Sequence, residues 1–210
     1  MKRYIYIIGA LLLSATALQA QELRFAWLAD THISMKGQAA EDLKLCIRDM
    51  NENTRPDFVI CAGDITNFGS DEELAFAKEL LDALEMPYYA VAGNHDATWS
   101  ESGCNSVVKT FGYEQFDFSA GGWRFLGCTS GPNMRMAPAL TPRSDRVWLG
   151  RLWKKEGQKG CIVINHYPMD SSVLNYFDVR KELRSNGVRI CLGGLWQRST
   201  VLDYGGIPGI

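Results

Sequence analysis

The chain has three histidines, and each stands within two residues of an aspartate or asparagine. His32 follows Asp30 in "DTH", His95 sits between Asn94 and Asp96 in "GNHD", and His166 opens out of "NHYP". A further acid, Asp64, closes "CAGD". All of these follow short apolar runs that read as strands: "LRFAWLAD" (23–30), "DFVICAGD" (57–64), "PYYAVAGNHD" (87–96) and "GCIVINHYP" (160–168). Taken singly, each residue has an ordinary structural use. Asp30 and Asp64 can cap turns, Gly63 can permit a tight one, Asn94 suits a turn, and His166 can be a satisfied histidine beside Tyr167. Together they form a mixed oxygen and nitrogen donor set. Such a set suits manganese, iron or zinc rather than calcium, which takes oxygen, or a thiolate-seeking metal.

The segments between these strands carry helical periodicity. Ala40, Leu43, Ile47 and Met50 recur at spacings of three and four. Ser70 with Glu73 predicts a capping box for a helix presenting Leu74, Ala77, Leu81 and Leu84. "QFDFSAGGWRFLGC" (115–128) reads as a hairpin turning at Gly121 and Gly122. A helix around Arg146 to Lys155, another over Val179 to Ser185, and a strand over Val188 to Leu192 complete the pattern. Strands without internal alternation, interleaved with helices, predict an α/β fold with sheets covered on both faces. In such folds the loops at the carboxyl ends of the strands converge, and the donor residues all fall there.

The set "DTH" (30–32), "GD" (63–64), "GNHD" (93–96) and His166 resembles the calcineurin-like metallophosphoesterases, in order and in separation. The resemblance implies a four-layer αββα sandwich of two mixed β-sheets flanked by helices. It implies two divalent metal ions, manganese, iron or zinc: Asp30 and His32 on the first, Asn94 and His166 on the second, Asp64 bridging both. His95 would face the leaving-group oxygen as proton donor, with Asp96 orienting or charging its imidazole. A metal-bridging hydroxide would attack a phosphomonoester or phosphodiester in line.

One motif departs from the family. Its last strand ends in Gly-His-x-His, whose first histidine binds the second metal and whose second binds the first. Here Gly194 is followed by Leu195 and Gln197 at those positions, in "CLGGLWQRST" (191–200). Gln197 offers a neutral amide oxygen, a weaker ligand than imidazole, and Leu195 offers none. The expectation is an enzyme impaired at one or both metals, the second being the more vulnerable, so that only one ion is retained. The alternative is a non-catalytic module or fragment that binds a phosphorylated ligand or partner. The family pattern continues with further strand beyond this point, so the chain reads as C-terminally truncated.

Residues 1–20 read as a signal peptide: Lys2 and Arg3, an apolar Tyr4 to Leu13, and a small-residue Ser14 to Ala20. The phosphoesterase domain is then 21–210, in an exported protein of the periplasm or exterior. Without Lys2 and Arg3, 20 basic residues face 24 acidic ones, which argues against broad nucleic-acid binding. The substrate class is a small phosphorylated molecule, and no membrane segment follows the signal. No sequence feature sets an oligomeric state. Six cysteines allow fifteen pairings, but Cys61, Cys128, Cys161 and Cys191 lie in apolar runs and read as buried hydrophobes. Trp99, Tyr167 and Trp196 are candidates for the site mouth.

Overall fold

A computed structural model describes residues 22–98, 105–130, 138–152 and 158–210. The signal-peptide segment and Trp99 therefore lie outside the described residues. Strand β1 (Phe25–Leu28), helix α1 (Ala39–Asp49), β2 (Phe58–Ala62), α2 (Asp71–Leu81) and β3 (Tyr88–Val91) alternate in that order. A short α3 (His95–Thr98) and α4 (Asn105–Phe111) lead to the hairpin β4 (Phe116–Ala120) and β5 (Trp123–Gly127). Then come α5 (Arg143–Leu152), β6 (Gly160–Ile164), α6 (Tyr176–Ser185), β7 (Val188–Leu192), β8 (Leu202–Asp203) and β9 (Pro208–Gly209).

β2 is buried along its whole length, and its side chains divide by parity. Phe58, Ile60 and Ala62 enter an apolar layer between two sheets, facing Phe125, Ile162, Ile164 and Leu192. Val59 and Cys61 face the other way, onto Leu43 and Ile47 of α1 and Leu74 and Ala77 of α2. The second sheet repeats the arrangement: Cys161 and Val163 of β6 pack with Leu149 of α5 and Val179 and Leu183 of α6. Four layers result, as the resemblance implied. The first sheet, β1-β2-β3, is parallel throughout its described strands. The second, β4-β5-β6-β7-β9-β8, is mixed, with β5, β6 and β7 parallel. Parallel register is what matters for the site, because it brings the carboxyl ends of β1, β2 and β3 side by side and those of β6 and β7 opposite them.

Local differences from the sequence reading have simple causes. Ser70 accepts the Glu73 N–H at 3.1 Å, but the Glu73 carboxylate takes the N–H of Phe68 at 2.7 Å rather than that of Ser70. α2 stops at Leu81, so Leu84 packs on the core from beyond the helix. The hairpin turn stands at φ 56° and 83° at Gly121 and Gly122, left-handed values that two glycines adopt without strain. Among the described cysteines all are free, and Cys61, Cys128, Cys161 and Cys191 are buried.

Asp145, in the first turn of α5, is 2% exposed. Burial pushes its pKa up to about 6, against the opposing bond from Gln115 Nε2 at 2.7 Å. The folded state thus holds this proton more tightly than the unfolded chain. The penalty of burying its charge is fully present above pH 6 and is relieved as pH falls towards 4. Between pH 7 and 5 the wild type should gain about 1.3 kcal/mol that Asp145→Asn does not gain. Chemical denaturation of both proteins at the two pH values measures that difference, and parallel slopes would refute it.

Candidate metal centre

Beyond the strand ends the chain stays paired. His32 N–H donates to Asp64 O at 3.0 Å and Ile33 N–H to Ile65 O at 2.8 Å, while Asp30 N–H reaches Gly63 O at 3.1 Å. The backbone there is unusual. Asp30, His32 and Asp64 have φ of 55°, 45° and 49°. Leu195 and Gln197 have φ of 69° and 49°, and Arg55 is the only other described non-glycine residue at positive φ. Such left-handed conformations cost non-glycine residues on the order of 1–3 kcal/mol each, and they gather where function demands them.

Asp64 is the hub. Its Oδ1 accepts the His95 backbone N–H at 2.8 Å. Its Oδ2 lies 3.2 Å from His166 Nε2 and 4.0 Å from His32 Nε2. Burial resists its charge, but His166 and the His95 N–H outweigh that and hold its pKa below the usual carboxylate value. Burial likewise opposes a charge on His166, yet Asp64 beside it raises the imidazole's pKa. Asp30 is shifted upward by burial, with Asp64's negative charge adding to it.

Two groups of donors converge on this hub. Asp30, Asp64 and His166 each offer a ligand atom within 4.8 Å of the others, and so do His32, Asp64 and His95. Asp30 Oδ1, His32 Nδ1 and His166 Nε2 are buried without an aligned hydrogen bond. Leaving such groups unsatisfied costs on the order of 1–3 kcal/mol each. A divalent cation would satisfy them, so these residues fit the metal that the resemblance implies. Asn94, 1% exposed, lies in the loop after β3, next to His95.

The expected role of Asp96 is corrected by its contacts. Its carboxylate is 0% exposed and takes the N–H groups of Ile65 (3.2 Å), Thr66 (2.8 Å) and Gly93 (2.8 Å), with Thr66 Oγ1 at 2.8 Å. It ties the loop after β2 to the loop after β3, and the His95 imidazole is held elsewhere: Nδ1 lies 2.7 Å from the carbonyl oxygen of Asn67. A backbone carbonyl leaves no trace in the sequence, so nothing in the residue type of Asn67 signals this contact.

Gly93 is required by space. A Cβ there would lie 2.1 Å from Asp64 Oδ1 and 2.3 Å from its backbone nitrogen. Gly93→Ala is expected to lower stability by about 1–3 kcal/mol, as overpacking does, and to weaken metal binding by displacing the hub. Denaturation together with a metal titration measures both; an unchanged titration would mean that Asp64 does not bind the metal.

The last loop approaches the same place. Gly194 N–H donates to His166 O at 2.8 Å, and a Cβ on Gly194 would stand 2.9 Å from His166 Nδ1. Gln197 Nε2 sits 3.2 Å from His32 Nε2. Leu195 gives its backbone N–H to Asp30, while its side chain packs on the outer core of the second sheet. A cleft of about 430 Å³ opens here, lined by Asp30, Trp196, Gln197, Arg198, Ser199 and Thr200 among others. Arg198 stacks over Trp196 at 5.2 Å. Trp196 is thus at the mouth, whereas Tyr167, 2% exposed, is packed against the core and is not.

A family model described as calcineurin-like phosphoesterase matches residues 23–194. A probable glycerophosphodiester phosphodiesterase of Arcobacter nitrofigilis is 40% identical over 174 residues, spanning 73% of this chain and 60% of that protein. A probable cyclic nucleotide phosphodiesterase of a Synechococcus strain is 24% identical over 163 residues, spanning 71% of this chain and 60% of its own. The chain therefore spans about 60% of the length of these relatives. Among solved structures, the phosphopantetheinyl hydrolase of Mycobacterium tuberculosis superposes with a TM-score of 0.63 at 12% identity, covering 90% of this chain and 88% of that one. A purple acid phosphatase of yellow lupin gives 0.59 at 14% identity, covering 84% and 38%.

Proposed function

The chain belongs to the calcineurin-like phosphoesterase family, and on that premise we propose that it is a metal-dependent hydrolase of phosphate esters, with phosphodiesters preferred. The observation that carries this reading is the pair of donor groups meeting at Asp64, with buried donor atoms left unsatisfied. Divalent cations bound there would neutralise charge on a phosphate and acidify a water molecule. Asp64 would hold the two sites together, with Asp30 and His166 on one side and His32 on the other. Asn94 would add an amide oxygen. Arg198 at the cleft rim would draw an anionic ester in, and the Trp196 ring would offer a face to its organic part. The diester preference leans on the printed names of the relatives.

The test is hydrolysis of bis(p-nitrophenyl) phosphate and p-nitrophenyl phosphate by protein stripped of metal and then reloaded with manganese, zinc or iron(II). Metal-dependent release, faster for the diester, is expected. No release above the chelated control would refute a catalytic role. It would favour the second reading, a phosphate-binding module without turnover, to which the apolar Leu195 at a ligand position lends support. Export is part of the proposal as well, supported by the composition of residues 1–20. N-terminal sequencing of protein from the extracytoplasmic fraction checks it. Among the described residues no helix is long and apolar enough to cross a membrane.

A further inference from the structure

We propose that His95 is a metal ligand in this chain, joining His32 and Asp64 in a two-imidazole, one-carboxylate site in place of the imidazole absent at Gln197. The inference rests on the metal-dependent reading above but departs from the proton-donor role that the resemblance gives His95. Three observations carry it. First, a ring nitrogen of His95 lies within 4.8 Å of the donor atoms of both His32 and Asp64. Second, the His32 and His95 rings meet edge to face, with centroids 4.6 Å apart and planes at 84°, so both imidazoles crowd one point beside Asp64.

The third observation concerns how the ring is held. A metal-binding histidine usually donates its other ring N–H to a carbonyl or carboxylate, which fixes the tautomer and directs the lone pair at the ion. His166 has this device: Nδ1 lies 2.8 Å from the Ala62 carbonyl oxygen, and Nε2 is turned to Asp64. His95 has the same device, with Nδ1 2.7 Å from the Asn67 carbonyl oxygen. Its own backbone N–H is anchored on Asp64 Oδ1 at 2.8 Å, so ring and hub move together. The Asn67 carbonyl on Nδ1 leaves Nε2 as the ring nitrogen for ligation, and Asp96, engaged elsewhere, does not hold the ring. Two imidazoles and a carboxylate suit zinc, iron or manganese.

A ligand cannot also protonate the leaving group while it is bound. The wild type should therefore hydrolyse esters of acidic phenols far better than esters of alcohols. The direct experiment titrates metal-free protein with cobalt(II) or zinc, counting ions per chain and following the cobalt absorption bands. In wild type with nitrogen-15-labelled histidines, zinc should shift ring-nitrogen resonances of His32, His95 and His166 together. His95→Ala should lower the affinity of one site by at least ~10-fold and alter its absorption bands, leaving the other site in place. The proposal is overturned if His95→Ala binds cobalt as wild type does, or if the His95 ring resonances stay unmoved when zinc saturates the wild type. The wild-type resonances also decide the matter should the variant fold poorly. If the wild type binds no metal at all, the metal-dependent reading falls, and this one with it. If it binds metal through His95 but hydrolyses nothing, only the hydrolase reading falls.

Discussion

Asp64→Asn is expected to abolish metal binding in both donor groups at once. Asp64 is the member common to the pair, and its two oxygens face different partners. An amide keeps the shape and can still accept the His95 N–H, so the local backbone should hold. What goes is the negative charge, and with it the attraction for a cation on either side. Loss of a residue that merely supports a ligand commonly weakens metal affinity by ~10–100-fold, and a shared ligand should cost at least the upper figure at each site. Hydrolysis should fall to the chelated background. Metal-free stability at neutral pH should also fall, because His166 and the His95 N–H favour the charged carboxylate in the folded state. Isothermal titration of the metal-free proteins, alongside denaturation, separates the two effects. If the variant retains one ion at wild-type affinity, Asp64 does not connect the sites.

The parts of this arrangement that the sequence revealed are those in which a side chain does the work. Asp30, His32, Asp64, Asn94 and His166 announce themselves as polar residues closing apolar strands, and the parallel register of β1, β2 and β3 gathers the first four at one edge. The second sheet brings His166 to the same place, a step that pattern alone does not give, since it depends on the Phe58–Phe125–Ile162 layer joining the sheets. Where the backbone does the work, the sequence was silent. The Asn67 carbonyl that holds His95 could be any residue's carbonyl. Asp96, adjacent in sequence to His95, invites a pairing that its four donors from Ile65, Thr66 and Gly93 preclude. The same limit explains β8 and β9, two residues each, which are too short to carry a period.

Leu195→His with Gln197→His should recover what the last loop has lost, because its backbone still has the form of a ligand-bearing one. Leu195 and Gln197 repeat, two residues apart, the left-handed φ values of Asp30 and His32. A leucine gains nothing from φ 69°. Histidine is among the residues that tolerate such values better, so the substitution adds no backbone strain. Gln197 already sits 3.2 Å from the His32 ring, within the reach an imidazole would need. Leu195 must give up some packing on the outer core of the second sheet, a modest cost in stability. Metal affinity should rise by ~10–100-fold. Catalysis should change in kind as well as amount. With an imidazole at position 197, His95 is free to leave the first metal and protonate the departing oxygen, a contribution typically worth ~10²–10⁴-fold. Esters of alcohols should therefore gain more than esters of acidic phenols. An equal gain for both would mean that His95 was never withheld from the leaving group, and no gain in affinity would place this loop away from the metals altogether.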